Sequence, residues 1–298
     1  MAVHVTFLNH DRACDWIRQH HTEYISRVLK SKANRANRTY TSINEFCEHV
    51  VDWTPEERRE LRLIMKKIFK WCWSWKKIVC EDVDWTFILV NDQLESGMPH
   101  TIDSAIVLPR WILRRLLFET ETLKSKQDAY ETLIHERIHV LQKKYPNKFT
   151  KLYEAWGWTK VPKHSVIDAT IDKLEKQLPT RLNPDTPNRW QYKVDSKSWI
   201  PYTRMNDTMQ NVKHYLILVD YDKSANTSQS KTEVNLKWSK QDKITWYTEF
   251  YGDVSHCYHP DETSAVLLAE CITADINKSR LRKVRAVKDL LQWCHREW

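Results

Sequence analysis

The segment His135–His139 reads His-Glu-Arg-Ile-His and matches the pattern H-E-x-x-H. On an α-helix, residues four positions apart lie one above the other on the same face. His135 and His139 can therefore both reach one tetrahedral zinc ion, with each nitrogen about 2.0–2.1 Å from the metal. Glu136 projects beside them, where it can accept a proton from a water that the metal activates. The pentapeptide thus predicts a helix with one face open to a ligand.

The residues around the motif favour this helix. Ser125 is a suitable N-cap, and Asp128 follows in the first turn, where an acidic side chain is favourable. Both histidines lie on a polar face, so the pattern predicts that they border a cleft. Apolar residues recur at helical spacing on a different face and predict contact with the core. These residues are Tyr130, Ile134, Ile138 and Leu141.

A catalytic zinc ion needs a third protein ligand and an open position for water. The extended pattern H-E-x-x-H-x-x-G-x-x-H would supply a histidine, but Gln142 replaces its glycine and Tyr145 its last histidine. The third ligand must therefore come from elsewhere, and the best candidate stretch is His256–Glu270. Glu262 is preferred, because Pro260 places it in the first turn of a predicted helix. The alternatives, in order, are His259, Asp261 and Glu270, followed by Cys257.

The order of predicted elements indicates an α+β protein that is rich in helices and has a small mixed sheet. Thr54–Glu57 (TPEE) predicts a helix start, with a threonine cap, a proline and an acidic third residue. β-Branched and aromatic residues predict strands in three segments, which are Asp84–Val90, Ser104–Leu108 and Ile244–Tyr251. The sequence predicts four regions. Residues 1–82 form a helical N-terminal region, and residues 83–180 form a core that contains the motif helix. Residues 181–252 form a β-rich insertion that completes the cleft, and residues 253–298 form the C-terminal helices.

The net charge and the cysteine content indicate which binding partners and which cellular compartment to expect. The net charge is +8, and basic clusters at Arg27–Arg38, Arg58–Lys77 and Lys278–Arg296 permit contact with nucleic acid or another acidic surface. The 39 acidic residues favour a solvated helix surface for much of this charge. Seven scattered cysteines without a C-x-x-C pair predict reduced thiols in an intracellular compartment. A secretory signal and a membrane-spanning apolar run are both absent from the sequence, so we expect neither secretion nor membrane insertion.

Four short segments together resemble the zincin metallopeptidases whose third ligand is glutamate, nearest to a zincin-like group of large DNA viruses and algae. They are GMPHT (Gly97–Thr101), HERIHVLQKKYP (His135–Pro146), RLNPDTPN (Arg181–Asn188) and HPDETSA (His259–Ala265). The resemblance covers Asp84–Ile276. It implies a zincin-like fold in an intracellular protein, either cytoplasmic, nuclear or packaged in a virus particle.

The resemblance also implies a site and an activity. His135, His139 and Glu262 would bind one Zn²⁺, and Glu136 would be the general base in hydrolysis of a peptide or protein substrate. Ser104–Leu108 would be the edge strand along which the peptide lies in extended form.

Other residues would line the cleft and contact the substrate. They are His100, Thr101, Tyr251 and Tyr258. The donor that stabilises the oxyanion stays open among His100, His256, Tyr202, Tyr251 and Tyr258.

The chain departs from the family pattern at one position. Many such proteins carry an aspartate four residues after the third ligand, where this chain has Val266. We therefore expect Asp128 or a backbone carbonyl to orient a zinc-binding histidine. The departure leaves a second hypothesis open, in which a weak or inactive zincin-like scaffold serves a structural, protein-binding or nucleic-acid-binding function.

Overall fold

The computed structural model of the chain describes residues 4–21, 42–72, 75–80, 83–118, 123–177, 183, 185–186, 188–194, 197–205, 212–221, 234–240, 244–252, 259–277 and 284–298. These residues form eleven α-helices and two β-sheets. The α+β architecture predicted from the sequence is confirmed.

The first sheet is small and mixed, as predicted. Its strands are β1 (Val5–Phe7), β2 (Trp85–Val90), β3 (His100–Ile102) and β4 (Ala105–Pro109). Their spatial order is β1-β2-β4-β3, with β1, β2 and β4 parallel and β3 antiparallel to β4. The prediction that Ser104–Leu108 forms the edge strand is therefore wrong, because β4 pairs on both sides and β3 forms the edge.

Burial explains the composition of this sheet. All six residues of β2 are buried and five of them are apolar, because helices cover both faces of this parallel strand. Phe87 and Leu89 belong to one apolar cluster, whereas Ile88 and Val90 belong to the cluster on the opposite face. The sequence predicts a mainly helical region at residues 1–82, and the structure adds strand β1 to this region, beside β2.

The N-terminal helices are α1 (His10–His20), α2 (Ile43–Glu48), α3 (Pro55–Trp71) and α4 (Lys76–Cys80). The predicted start of α3 is confirmed: Thr54 Oγ1 accepts the Glu57 N–H at 3.1 Å, and the Glu57 carboxylate accepts the Thr54 N–H at 2.8 Å. Lys66, Lys67 and Lys70 are exposed on α3, within the predicted basic cluster. The cluster Arg27–Arg38 lies outside the described residues.

The central helices are α5 (Arg110–Leu117), α6 (Leu123–Lys144), α7 (Pro146–Ala155) and α8 (Val166–Gln177). The motif lies on α6, as predicted. Ser125 lies inside α6 and does not cap it, because the helix begins at Leu123. Pro146 is the first residue of α7, where a missing backbone N–H is tolerated.

The second sheet is antiparallel, with strand order β5-β6-β7-β8-β9. Its strands are β5 (Trp158–Lys160), β6 (Trp190–Val194), β7 (Lys197–Met205), β8 (Val212–Tyr221) and β9 (Val234–Lys240). The prediction of a strand at Ile244–Tyr251 is wrong: Thr245–Tyr251 is helix α9. Tyr247 and Tyr251, four residues apart, are both buried on one face of that helix.

The C-terminal helices are α10 (Pro260–Asn277) and α11 (Arg285–Glu297). Helix α10 packs along α6, where Ala265 and Ala269 are fully buried and small enough for close approach. No helix within the described ranges is both long and apolar enough to cross a lipid bilayer. The described part of the chain contains no disulfide bond.

Arg137, the third residue of the motif, anchors α6 to the sheet. Its guanidinium is fully buried and donates to the carbonyl oxygens of Val83 at 2.6 Å and Asp84 at 3.3 Å. It also lies 5.0 Å from the centre of a Trp85 ring. Burial lowers the pKa of Arg137 to about 10. These contacts turn Arg137 towards the core and leave the motif's histidines to face α10.

Candidate metal centre

Three side chains from two helices converge beside the first sheet. His135 Nε2 lies 3.3 Å from Glu262 Oε2, and His139 Nε2 lies 3.5 Å from Glu262 Oε1. The two imidazole Nε2 atoms are 2.9 Å apart. One ligand atom from each residue lies within 4.8 Å of the others, so the three can hold a metal ion. The structure thus brings together the three residues that the sequence predicts as ligands.

The other candidates for the third ligand have different contacts or positions. His259 Nε2 donates to the Asn188 carbonyl oxygen at 2.9 Å, and His259 Nδ1 lies 3.2 Å from Asp261 Oδ2. Glu270 lies two helical turns further along α10 than Glu262. Cys257 lies outside the described residues. Within the described ranges, Glu262 is the acidic residue of α10 that meets both histidines.

Gln142 determines which nitrogen of His139 is available to a metal. Its Nε2 donates to the Asp261 carbonyl oxygen and to Ser264 Oγ, both at 2.8 Å. Its Oε1 must then be the atom that faces His139 Nδ1, at 2.6 Å. Because an amide oxygen only accepts hydrogen bonds, Nδ1 carries a proton, and Nε2 is the nitrogen that can bind a metal ion in place of a proton. This hydrogen bond therefore directs Nε2 of His139 to the site.

Gln142 fills the role that the sequence assigns to Asp128 or to a backbone carbonyl. Asp128 is exposed, so it does not orient either histidine. Gln142 lies three residues after His139 and hence on the same helical face, which is the signal in the sequence that points to it.

If the three residues hold the zinc ion that the sequence predicts, Gln142→Ala should weaken its binding by about 10–100-fold, because His139 loses the acceptor that holds its ring. A competition titration against a chromophoric chelator measures this affinity. Gln127→Ala, near the start of the same helix, is the matched control and should bind zinc like the wild type. Equal affinities for Gln142→Ala and the wild type would show that this hydrogen bond does not position the ligand.

Glu136 is buried beside the ligands, with 3% of its surface exposed. Its Oε2 atom has no hydrogen-bond partner within the described structure. Burial raises the pKa of this carboxyl well above its usual value, and the nearby carboxylates of Asp185 and Glu262 raise it further. An unpartnered carboxylate oxygen at this depth is available to a water or a substrate group.

The electrostatics of the site favour a cation. Burial opposes a charge on His139, but Glu262 and Asp185 outweigh burial and raise the pKa of His139 to about 10. Burial also opposes a charge on Glu262, yet His139 and His135 hold its pKa well below the usual range. The carboxylates of Asp185 and Glu262 therefore favour a positive charge beside the two histidines, and a metal ion held here would supply one.

His100 is buried at the start of β3, and its Nδ1 donates to the Met98 carbonyl oxygen at 3.2 Å. Its Nε2 has no hydrogen-bond partner within the described structure. Burial lowers the pKa of His100 and favours the neutral form. Neutral His100, with its proton on Nδ1, can accept a hydrogen bond through Nε2 but cannot donate one. In this state His100, one of the five candidates, therefore cannot be the oxyanion donor.

Thr101 lies on the same strand and is bound on its outer side by two charged residues. Its N–H donates to Asp185 Oδ1 at 2.9 Å, and its carbonyl oxygen accepts from Lys143 Nζ at 2.8 Å. Its hydroxyl also contacts both partners. Asn183 Nδ2 donates to Glu262 Oε1 at 2.6 Å. The sequence predicts none of these three partners individually, although Asn183 and Asp185 lie in the quoted segment RLNPDTPN.

Of the tyrosine candidates that the structure describes, neither Tyr202 nor Tyr251 lies with the three proposed ligands. The Tyr251 hydroxyl lies 2.6 Å from Trp158 Nε1, and its ring packs against Trp156 and Tyr247 in the aromatic core. Tyr202 is buried in a cluster with Leu174 and Ile217. The remaining candidates, His256 and Tyr258, lie outside the described residues.

No protein-family model, curated protein or solved structure matches this chain. The chemistry open to the site follows from its own residues: two imidazoles and a carboxylate that can hold a metal, and a buried carboxyl beside them.

Proposed function

We propose that the chain is a zinc-dependent metallopeptidase with a zincin-like fold. His135, His139 and Glu262 are the proposed zinc ligands, and Glu136 is the proposed general base. The observation that carries this proposal is the convergence of the three ligand atoms from α6 and α10, next to buried Glu136. Two imidazoles and one carboxylate, with a fourth position left for water, are a ligand set of catalytic zinc sites.

The donor atoms favour zinc over the common hard cations. Calcium and magnesium prefer sites built entirely from oxygen atoms, whereas imidazole nitrogens suit zinc. Gln142 supports this assignment, because it leaves the Nε2 lone pair of His139 directed at the site. The carboxylates of Asp185 and Glu262 beside the histidines also support a divalent ion.

The chain's own residues have distinct roles in the proposed hydrolysis. A zinc ion held here would polarise the scissile carbonyl and lower the pKa of a water towards about 7. Glu136 accepts the proton of that water and then donates it to the leaving amine. Burial raises the pKa of Glu136 above its usual value, which makes its carboxylate a stronger base towards that water.

The arrangement around the site supports a peptide as the substrate. His135 is the more accessible histidine, with 20% of its side chain exposed against 1% for His139, so the site opens on the His135 side. The antiparallel edge strand β3 lies against α6, and an extended peptide could pair with it once Asp185 and Lys143 release Thr101.

Removal of the metal should abolish peptide hydrolysis. The zinc-loaded protein is assayed on a library of unstructured fluorogenic peptides before and after treatment with a strong chelator, and after zinc is returned. We expect loss of hydrolysis with the chelator and recovery with zinc, and no effect of a non-chelating isomer of the chelator. Hydrolysis that survives complete zinc removal would contradict the proposed function.

A further inference from the structure

The outer edge of β3 is occupied by side chains of the same chain. Strand β4 covers the inner side of β3, and Thr101 directs its N–H and carbonyl oxygen to Asp185 and Lys143 instead. Edge strands usually leave such groups to water or to an added strand. In this protein, both main-chain groups of the central edge residue already have partners.

The two side chains reproduce the bonds of a missing strand. A peptide added to β3 would offer a carbonyl oxygen to the Thr101 N–H, and an N–H to the Thr101 carbonyl oxygen. The Asp185 carboxylate takes the place of that carbonyl, and the Lys143 ammonium takes the place of that N–H. Asp185 Oδ1 and Lys143 Nζ are 3.0 Å apart, so the two groups act as one unit.

The same unit reaches the metal ligands. The Asp185 N–H donates to Asn183 Oδ1 at 2.8 Å, and the Asn183 side chain in turn donates to Glu262. Asn183 and Asp185 thus connect the third proposed ligand to the edge strand. The Asp185 side chain is 4% exposed and that of Lys143 is 19% exposed, so little of the connection is open to solvent.

We propose that Asp185 and Lys143 form a latch that closes the substrate cleft, and that an extended peptide binds only when Asp185 leaves Thr101. The identity of the occupant rests on the proposed peptidase function. The latch selects unstructured peptide segments, because their main chain can supply both bonds that Thr101 loses when Asp185 and Lys143 move away. A folded protein surface offers no free strand to replace those bonds, and the latch excludes it.

Removal of either partner should open the latch. Asp185→Ala deletes the carbonyl mimic. Lys143→Met leaves the Asp185 carboxylate without its cation and close to two other carboxylates, which favours its movement into water. The apparent affinity for the peptide is the intrinsic affinity multiplied by the fraction of molecules in which the latch is open. If that fraction rises from about a tenth to nearly one, the apparent affinity rises about tenfold.

The test is peptide binding to zinc-loaded protein in a Glu136→Gln background, where no peptide is consumed. Fluorescence anisotropy with a labelled unstructured peptide gives the affinity, and zinc content is measured on the same samples. We expect Asp185→Ala and Lys143→Met each to bind the peptide about tenfold more tightly when compared with the parent at saturating zinc. Asp185→Asn keeps the shape of the side chain but removes its charge. If the other two variants do not fold, this variant tests the latch, and we expect a smaller gain in peptide affinity.

A matched control removes a similar ion pair elsewhere. Asp168 pairs with Arg189 at 2.6 Å and is 19% exposed, and Asp168→Ala should bind the peptide like the parent. Unchanged or weaker peptide binding by the folded latch variants would overturn the latch. Tighter binding by these variants, together with no hydrolysis when Glu136 is present, would instead contradict the peptidase function and leave the latch intact.

Discussion

Glu136→Gln should leave zinc bound and remove peptide hydrolysis. Glutamine matches glutamate in shape and keeps the three proposed ligands in place, but it cannot accept a proton from water. Positioned acid–base groups contribute about 10²–10⁴-fold to rates, so we expect kcat to fall by at least about 10²-fold. The buried position of Glu136 and its unpartnered Oε2 atom support a role in proton transfer.

The measurement combines steady-state kinetics with zinc analysis of the same preparation. Glu131→Gln, on the same helix but before the motif, is the control and should keep both zinc and activity. A Glu136→Gln variant that still hydrolyses peptides would disprove the assigned role of Glu136. A variant that loses zinc as well would show that Glu136 holds the metal site together.

Glu262→Ala should abolish zinc binding at the proposed site. Glu262 is the proposed ligand from α10, and without it two histidines from a single helix remain. Loss of a direct ligand should weaken zinc binding by more than the roughly 100-fold upper range for an outer hydrogen bond. Elemental analysis after dialysis should then find zinc in the wild type and little in the variant.

The matched control is Glu270→Ala, two turns further along the same helix. Glu270 is an alternative third ligand by sequence, but in the structure Glu262 is the carboxylate that meets both histidines. Glu270→Ala should therefore keep its zinc. The reverse outcome, with zinc retained by Glu262→Ala and lost from Glu270→Ala, would reassign the third ligand.

The parts of the site that depend on local spacing could be predicted from the sequence. His135 and His139 share a helical face because four residues separate them, and Pro260 marks the start of the helix that carries Glu262. The prediction of α10 was accurate because helix starts have recognisable residues. The meeting of α6 and α10 is a long-range contact, which the sequence supports only through the small residues Ala265 and Ala269.

The wrong predictions of secondary structure concern segments whose conformation depends on strand pairing or on tertiary packing. Strand β3 has three residues, too few for a periodic pattern, and the edge position of Ser104–Leu108 was implied only by the family resemblance. Aromatic residues in Ile244–Tyr251 favour a strand, but burial of Tyr247 and Tyr251 on one face produces a helix.

Side-chain partners were harder still to predict. Gln142 acquires its role from acceptors on α10 that lie 119 and 122 residues away in the chain. Asp185 binds Thr101 across 84 residues. The sequence contains both residues, but it does not show which groups they meet.

The most direct test of the metal site is anomalous X-ray diffraction at the zinc edge from crystals of the zinc-loaded protein. We predict one strong peak about 2.0–2.1 Å from His135 Nε2 and from His139 Nε2, and about 2.0–2.2 Å from a Glu262 carboxylate oxygen. Zinc bound at any other place, or no zinc peak among these three residues at saturating zinc, would contradict the proposed metal centre and the peptidase function that rests on it.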